Sequence, residues 1–173
     1  HCETSSAGYE VTDSYQELTD PSVYVKFKLK NKNSSLLVYT TTPWTLPANV
    51  AIAVSGKDTY VEVKTPSGNL ILAENRLELL KNKNIKYRVL NKFKGKTLKG
   101  LEYEPLFDNE VQNVVGQYPN SRKIYLSIPL LKERIAPKVA DKLGKKAGDI
   151  YEEFVTVESG TGLVHMAPGH GKT

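Results

Sequence analysis

Val23, Val25, Phe27 and Leu29 alternate with Tyr24, Lys26, Lys28 and Lys30. A period of two places one set on each face of a strand, here a buried face and a basic one. After a polar turn at Asn31–Ser35, Leu36 to Tyr39 is a short apolar run that predicts a more deeply buried strand. Val50 to Val54 predicts another. Val61 and Val63 then alternate with Tyr60, Glu62 and Lys64. The turn residues Thr65-Pro66-Ser67-Gly68-Asn69 separate that strand from Leu70-Ile71-Leu72 and predict a hairpin. Leu77 and Leu80 give Ala73–Lys81 helical spacing. Tyr87–Leu90, Thr97–Tyr103 and Lys123–Ser127 predict further strands. Leu131, Ile135, Val139 and Leu143 recur every four residues and predict a helix, kinked or bounded by Pro137 and stopped at Gly144. Phe154–Val157 and Gly162–Met166 predict two last strands around a Gly-rich turn.

These elements are mostly short strands and do not alternate regularly with helices, which excludes a doubly wound parallel sheet. The expected class is mainly β with peripheral helices, as a β-barrel-like or strongly curved mixed sheet. Residues 1–20 are polar and aperiodic and predict an N-terminal linker. Residues 21–173 predict one domain, with a less regular excursion at 105–150.

The chain has 173 residues, 39% hydrophobic and 25% charged, as in one globular domain. No apolar run is long enough for a membrane span. The single cysteine, Cys2, excludes an internal disulfide and a Cys-based zinc site. No N-terminal charged-then-apolar segment resembles a signal peptide, and a cytoplasmic (or organellar) setting is expected. The one methionine is Met166, so the chain reads as a piece of a larger protein.

Several chemistries are poorly supported. Gly171-Lys172-Thr173 ends a phosphate-loop-like tail, but Met166 stands where that motif needs glycine. His165 and His170 are five apart, with no third ligand nearby, so no metal site is expected. There is no Gly-x-Ser-x-Gly nucleophile elbow.

The unusual segment is Thr40-Thr41-Thr42-Pro43-Trp44-Thr45-Leu46-Pro47-Ala48-Asn49. Two readings fit it. Its hydroxyls, at a strand end, could orient a water or a polar ester without any ionised group. Alternatively it is a tight strand-to-helix turn, with Trp44 as a core plug and Thr45 as a helix cap. His165, inside the apolar Val164–Met166 strand, is either a satisfied core residue or a polar-tipped pocket wall. Lys81 to Lys99 contains eight basic residues and no acid, and Lys132–Lys146 adds a second basic run. Either these are solvated faces, or they form the footprint of a polyanion.

Together these segments resemble the isoleucyl-tRNA synthetase family. The 40–49 segment is similar to its threonine-rich editing motif. Gly160-Thr161-Gly162-Leu163-Val164-His165-Met166-Ala167-Pro168-Gly169-His170-Gly171 is similar to its second editing signature. The valyl and leucyl relatives carry Arg after the first threonines, where this chain has Thr42-Pro43-Trp44. The resemblance implies a β-barrel-like editing (CP1) domain that hydrolyses valyl ester mis-attached to tRNA(Ile). By position it implies that Thr41, Thr42 and Thr45 act on the ester and the attacking water. Thr40, Trp44, Asn49, His165 and, less directly, His170 would bind substrate, with His165 barring the extra methylene. The implied partners are the tRNA(Ile) acceptor end, its valine moiety and the rest of the synthetase. No cofactor is implied here, since ATP and Mg belong to the synthetase body. An aspartate that the family places just past the Gly-His-Gly turn falls beyond Thr173. The alternatives are a basic β-rich module that only binds RNA, and the editing domain of a valyl or leucyl relative.

Overall fold

The computed structural model describes residues 22–127, 155 and 157–168. Among them the strands are β1 (Val23–Lys28), β2 (Ser34–Thr40), β3 (Ala51–Val54), β4 (Thr59–Thr65), β5 (Gly68–Ala73), β6 (Arg88–Lys94), β7 (Lys123–Leu126) and β8 (Leu163–Met166). The helices are α1 (Glu78–Asn82) and α2 (Glu110–Gly116), and short 3-10 turns span Pro43–Ala48, Glu74–Arg76 and Gly95–Leu98.

The alternation at the start of the chain becomes β1, antiparallel to β2 with Val25 opposite Val38 and Phe27 opposite Leu36. The continuous apolar run of β2 fits its place: it is buried along most of its length, between β1 and the parallel strand β5. The predicted hairpin forms as β4–β5, with Thr65 opposite Gly68. The larger sheet runs β1-β2-β5-β4-β6 and the smaller β7-β3-β8. β8 packs on β2, so the two sheets share a core. Phe27 and Tyr103, both almost fully buried, meet edge to face there with centroids 5.2 Å apart.

The mainly β class holds, but the described strands form two open sheets and not a closed barrel. Thr97–Tyr103 is not a strand. Gly95 lies so close to the Ser55 carbonyl that a Cβ would sit 2.0 Å from its oxygen, and Gly100 has φ +80°, which breaks extended pairing. Only isolated bridges survive, Glu102 with Lys123 and Tyr103 with Leu29. The helix expected from Ala73 starts later, because Ala73 remains in β5 and gives its N–H to the Thr161 carbonyl (2.9 Å). The 105–150 excursion contains a helix, α2, capped by Asn109, whose Oδ1 accepts from Gln112 N–H at 2.8 Å. The N-terminal linker, the 131–143 helix, the Lys132–Lys146 run and most of the Phe154–Val157 strand lie outside the described residues. No described helix is long and apolar enough to cross a membrane.

Candidate functional site

Thr40 ends β2, and Pro43 then starts a 3-10 turn that reverses the chain. Thr42 is the residue flanking that turn, with φ −123° and ψ 64°. Its N–H donates to Thr40 Oγ1 (3.1 Å), and the two hydroxyls are 3.2 Å apart. Thr45 N–H and Thr45 Oγ1 both donate to the Thr42 carbonyl, at 3.0 and 2.8 Å. The reversal thereby gathers three of the four threonine hydroxyls, with Thr42 Oγ1 3.5 Å from Thr45 Oγ1.

The chain leaves this loop through Asn49 and enters β3, which pairs antiparallel to β8. Val50 N–H donates to the Met166 carbonyl (2.9 Å), and Ile52 lies opposite His165. This register carries His165 to the loop, although it is 120 residues further along the chain, and its Nε2 is 3.0 Å from Thr45 Oγ1. The Gly-Thr-Gly turn before β8 is fastened separately. Arg76 Nε donates to the Gly160 carbonyl (2.9 Å), and Tyr60 OH to the Gly162 carbonyl (2.6 Å).

Burial pushes the His165 imidazole below its ordinary pKa, so it is neutral at pH 7. Its Nδ1 is buried and has no hydrogen-bond partner among the described residues. The described residues contain no group of three His, Cys, Asp or Glu that could hold a metal. The site is thus a neutral cluster of hydroxyls and one imidazole, suited to orienting an ester and a water.

Thr40, Thr42, Thr45 and His165 come together. Thr40 and Thr45 are buried, while Thr41 and Thr42 face solvent. Trp44 is 61% exposed, which rules out the core plug. Thr45 is not a helix cap either: it sits within the 3-10 turn, flanked by Thr42. Asn49 is buried just behind the loop, donating from Nδ2 to the Ala51 carbonyl (3.0 Å) and accepting at Oδ1 from Tyr103 OH (2.6 Å). His170 lies outside the described residues. The pattern reading missed Gln112 and Tyr103, which bond Asn49, and Arg122, which bonds the Gln112 and Val50 carbonyls. The Asn109-x-x-Gln112 spacing has the form of a capping box, which would turn the Gln112 side chain back to Asn109, but that side chain instead reaches the Pro47 and Asn49 carbonyls.

The fold is that of the CP1 editing domains of leucyl-tRNA synthetases. The GlLeuRS CP1 structure superposes with a TM-score of 0.58 at 12% identity, over 86% of this chain and 55% of that one. The P. knowlesi cytosolic leucyl-tRNA synthetase editing domain gives a TM-score of 0.53 at 12% identity, over 83% and 56%. In sequence the chain matches an insert-sized stretch of isoleucyl-tRNA synthetases. It is 40% identical to the isoleucine–tRNA ligase of Sulfolobus acidocaldarius over 98% of its length, and 39% identical to that of Methanocaldococcus jannaschii over 99%. The Clostridium kluyveri enzyme is 36% identical over 99%. The chain spans only 13–15% of the length of these relatives. No protein-family model matches it.

Proposed function

We propose that this chain is the editing unit of an isoleucyl-tRNA synthetase and hydrolyses valine mis-esterified to tRNA(Ile). The carrying observation is the convergence of Thr42, Thr45 and His165, from two segments far apart in sequence, into one hydroxyl-and-imidazole cluster. The need for it is physical. One methylene in an apolar pocket discriminates by only about 1–3 kcal/mol, and isoleucyl-tRNA synthetases are the standard instance of that limit. A second site that admits valine and excludes isoleucine must therefore clear the error.

The geometry divides the labour among the threonines. Thr45 commits its only hydroxyl hydrogen to the Thr42 carbonyl and so fixes the loop and the imidazole. Thr41 and Thr42 are exposed and would meet the ester carbonyl and the attacking water. Thr40 supports Thr42 from behind. His165 would stand against the larger side chain, and exposed Trp44 would offer a stacking face to the terminal adenosine. Asn49 holds the loop exit, and His170 follows the same signature. Positioning and polarisation suffice for an ester, without cofactor or ionised base. The rest of the synthetase, with its ATP and Mg site, and the tRNA acceptor end are the partners, in the cytoplasm or an organelle.

The test is deacylation by the full-length synthetase. Thr42→Ala should lower turnover of Val-tRNA(Ile) by about 100-fold. His165→Ala should reduce the preference for valyl over isoleucyl ester by about 10-fold or more. Unchanged turnover and selectivity in both variants, with tRNA binding alone affected, would leave an RNA-binding module instead.

A further inference from the structure

The threonine loop is held from outside by a residue on neither editing signature. α2 packs on the 3-10 turn Pro43–Ala48. On its inner side Gln112 is 2% exposed. Its Nε2 donates both hydrogens, one to the Pro47 carbonyl (2.8 Å) and one to the Asn49 carbonyl (3.0 Å). These acceptors lie at the end of the 3-10 turn, where carbonyls lack partners within the turn itself. Asn49 N–H is already committed to Leu46 O (3.0 Å) and its side chain to Ala51 and Tyr103. Arg122 closes the arrangement. Its guanidinium donates to the Gln112 carbonyl, and its N–H to the Val50 carbonyl (2.7 Å).

A primary amide is the neutral side-chain group that offers two N–H donors from one nitrogen. A carboxylate of the same shape would aim lone pairs at two carbonyls. An apolar side chain would leave both carbonyls buried and unpaired. Because the exit also sets where β3 begins, and β3 pairs with His165, the amide acts on both halves of the cluster.

We infer that Gln112 is a positioning residue for ester hydrolysis: its side-chain amide pins the exit of the threonine loop and thereby fixes Thr42 and Thr45 against His165. This rests on the editing reading above. A bland structural staple would hold the helix but leave turnover alone.

The experiment uses the full-length synthetase and Val-tRNA(Ile), with Gln112→Met and Gln112→Glu. Both should lose about 10- to 100-fold in kcat with KM little changed, as expected when reacting groups are misplaced by a fraction of an ångström. The glutamate variant places a carboxyl against the Pro47 and Asn49 carbonyls, with the Arg122 guanidinium beside it, and relative to wild type it should regain part of its kcat as pH falls from about 8 to about 5.5, because the protonated acid can donate to one of the two carbonyls. The methionine variant should not. A folded Gln112→Met enzyme with wild-type kcat overturns the inference alone. A wild-type enzyme that hydrolyses no valyl ester overturns the editing reading, and this with it. Should neither variant fold, amide exchange on the wild type decides. Thr45 N–H and Gln112 N–H should open together, and much faster exchange at Thr45 would show that the loop moves without Gln112 and overturn the inference.

Discussion

Thr45 Oγ1 has one hydrogen, and the Thr42 carbonyl takes it at 2.8 Å. The hydroxyl can therefore only accept from His165 Nε2, 3.0 Å away, and the hydrogen-bond network assigns the Nε2–H tautomer. Nδ1 is then a bare lone pair, buried and unpartnered among the described residues. Protonation would turn it into a buried N–H without an acceptor, which agrees in direction with the depression that burial imposes on the imidazole. The consequence for stability has a definite sign. Below about pH 6.5 the unfolded chain takes up a proton that the folded imidazole refuses, so stability drains away as pH falls from there towards the lowered folded value. Above about pH 6.5 the residue contributes no slope. Comparing urea unfolding of wild type and His165→Gln should give a difference that is flat from about pH 7 to 8.5 and shifts against the wild type as pH falls. A difference flat at every pH would mean that the imidazole is freely solvated.

Gly162 shows how a turn governs an element. It has φ +75°, and a Cβ there would stand 2.5 Å from the Ala73 Cβ, so the turn into β8 closes directly onto the end of β5. Gly162→Ala should destabilise the domain by about 1–3 kcal/mol, read as a lower urea midpoint, because both backbone strain and overlap must be relieved by moving β8. Since β8 carries His165, on the proposed function the same variant should also slow deacylation. The hairpin, the alternating β1 and the apolar β2 were legible because each buries a face in a period that its residues display. The failures share another cause. Thr97–Tyr103 has strand-like composition, but a close backbone approach at Gly95 and a positive φ at Gly100 decide its course. At the site, the threonine cluster and His165 could be named from their residue types. Gln112 could not, because its role comes from the Pro47 and Asn49 carbonyls, which carry no side-chain signature. Trp44 was misplaced under the turn reading because size suggests burial, while the 3-10 turn directs it outwards.

The formal charge of +5 is spread unevenly across the molecule. Among the described strands β6 is, with β1, an edge of the larger sheet and is exposed along nearly all its length, with Arg88, Lys92 and Lys94 on it. Edge lysines deter strand pairing between molecules, and that alone could explain them. Their position adds a second use. Lys94 lies opposite Thr59 on β4, Tyr60 beside it lies opposite Ala73 on β5, and β5 runs parallel to β2, whose end is Thr40. The basic end of β6 and the threonine loop are therefore at the same end of the sheet, three strand spacings or about 14 Å apart. Lys92 is neutralised by Glu74 (2.6 Å), and Lys94 is engaged with Thr59 and the Lys57 carbonyl. Lys96 and Lys99, just beyond β6, are exposed. On the proposed function they would meet phosphates upstream of the esterified end. Lys96→Glu with Lys99→Glu should raise KM for Val-tRNA(Ile) while leaving kcat alone. It should also flatten the fall of log affinity with log salt by about 0.7 for each single-strand phosphate that a lysine no longer neutralises. An unchanged salt slope would return these lysines to edge protection and place the acceptor strand elsewhere. A flattened slope with kcat intact would instead separate binding from turnover: the basic rim would alter how much tRNA is held, and the threonine loop how fast the held ester is cleaved.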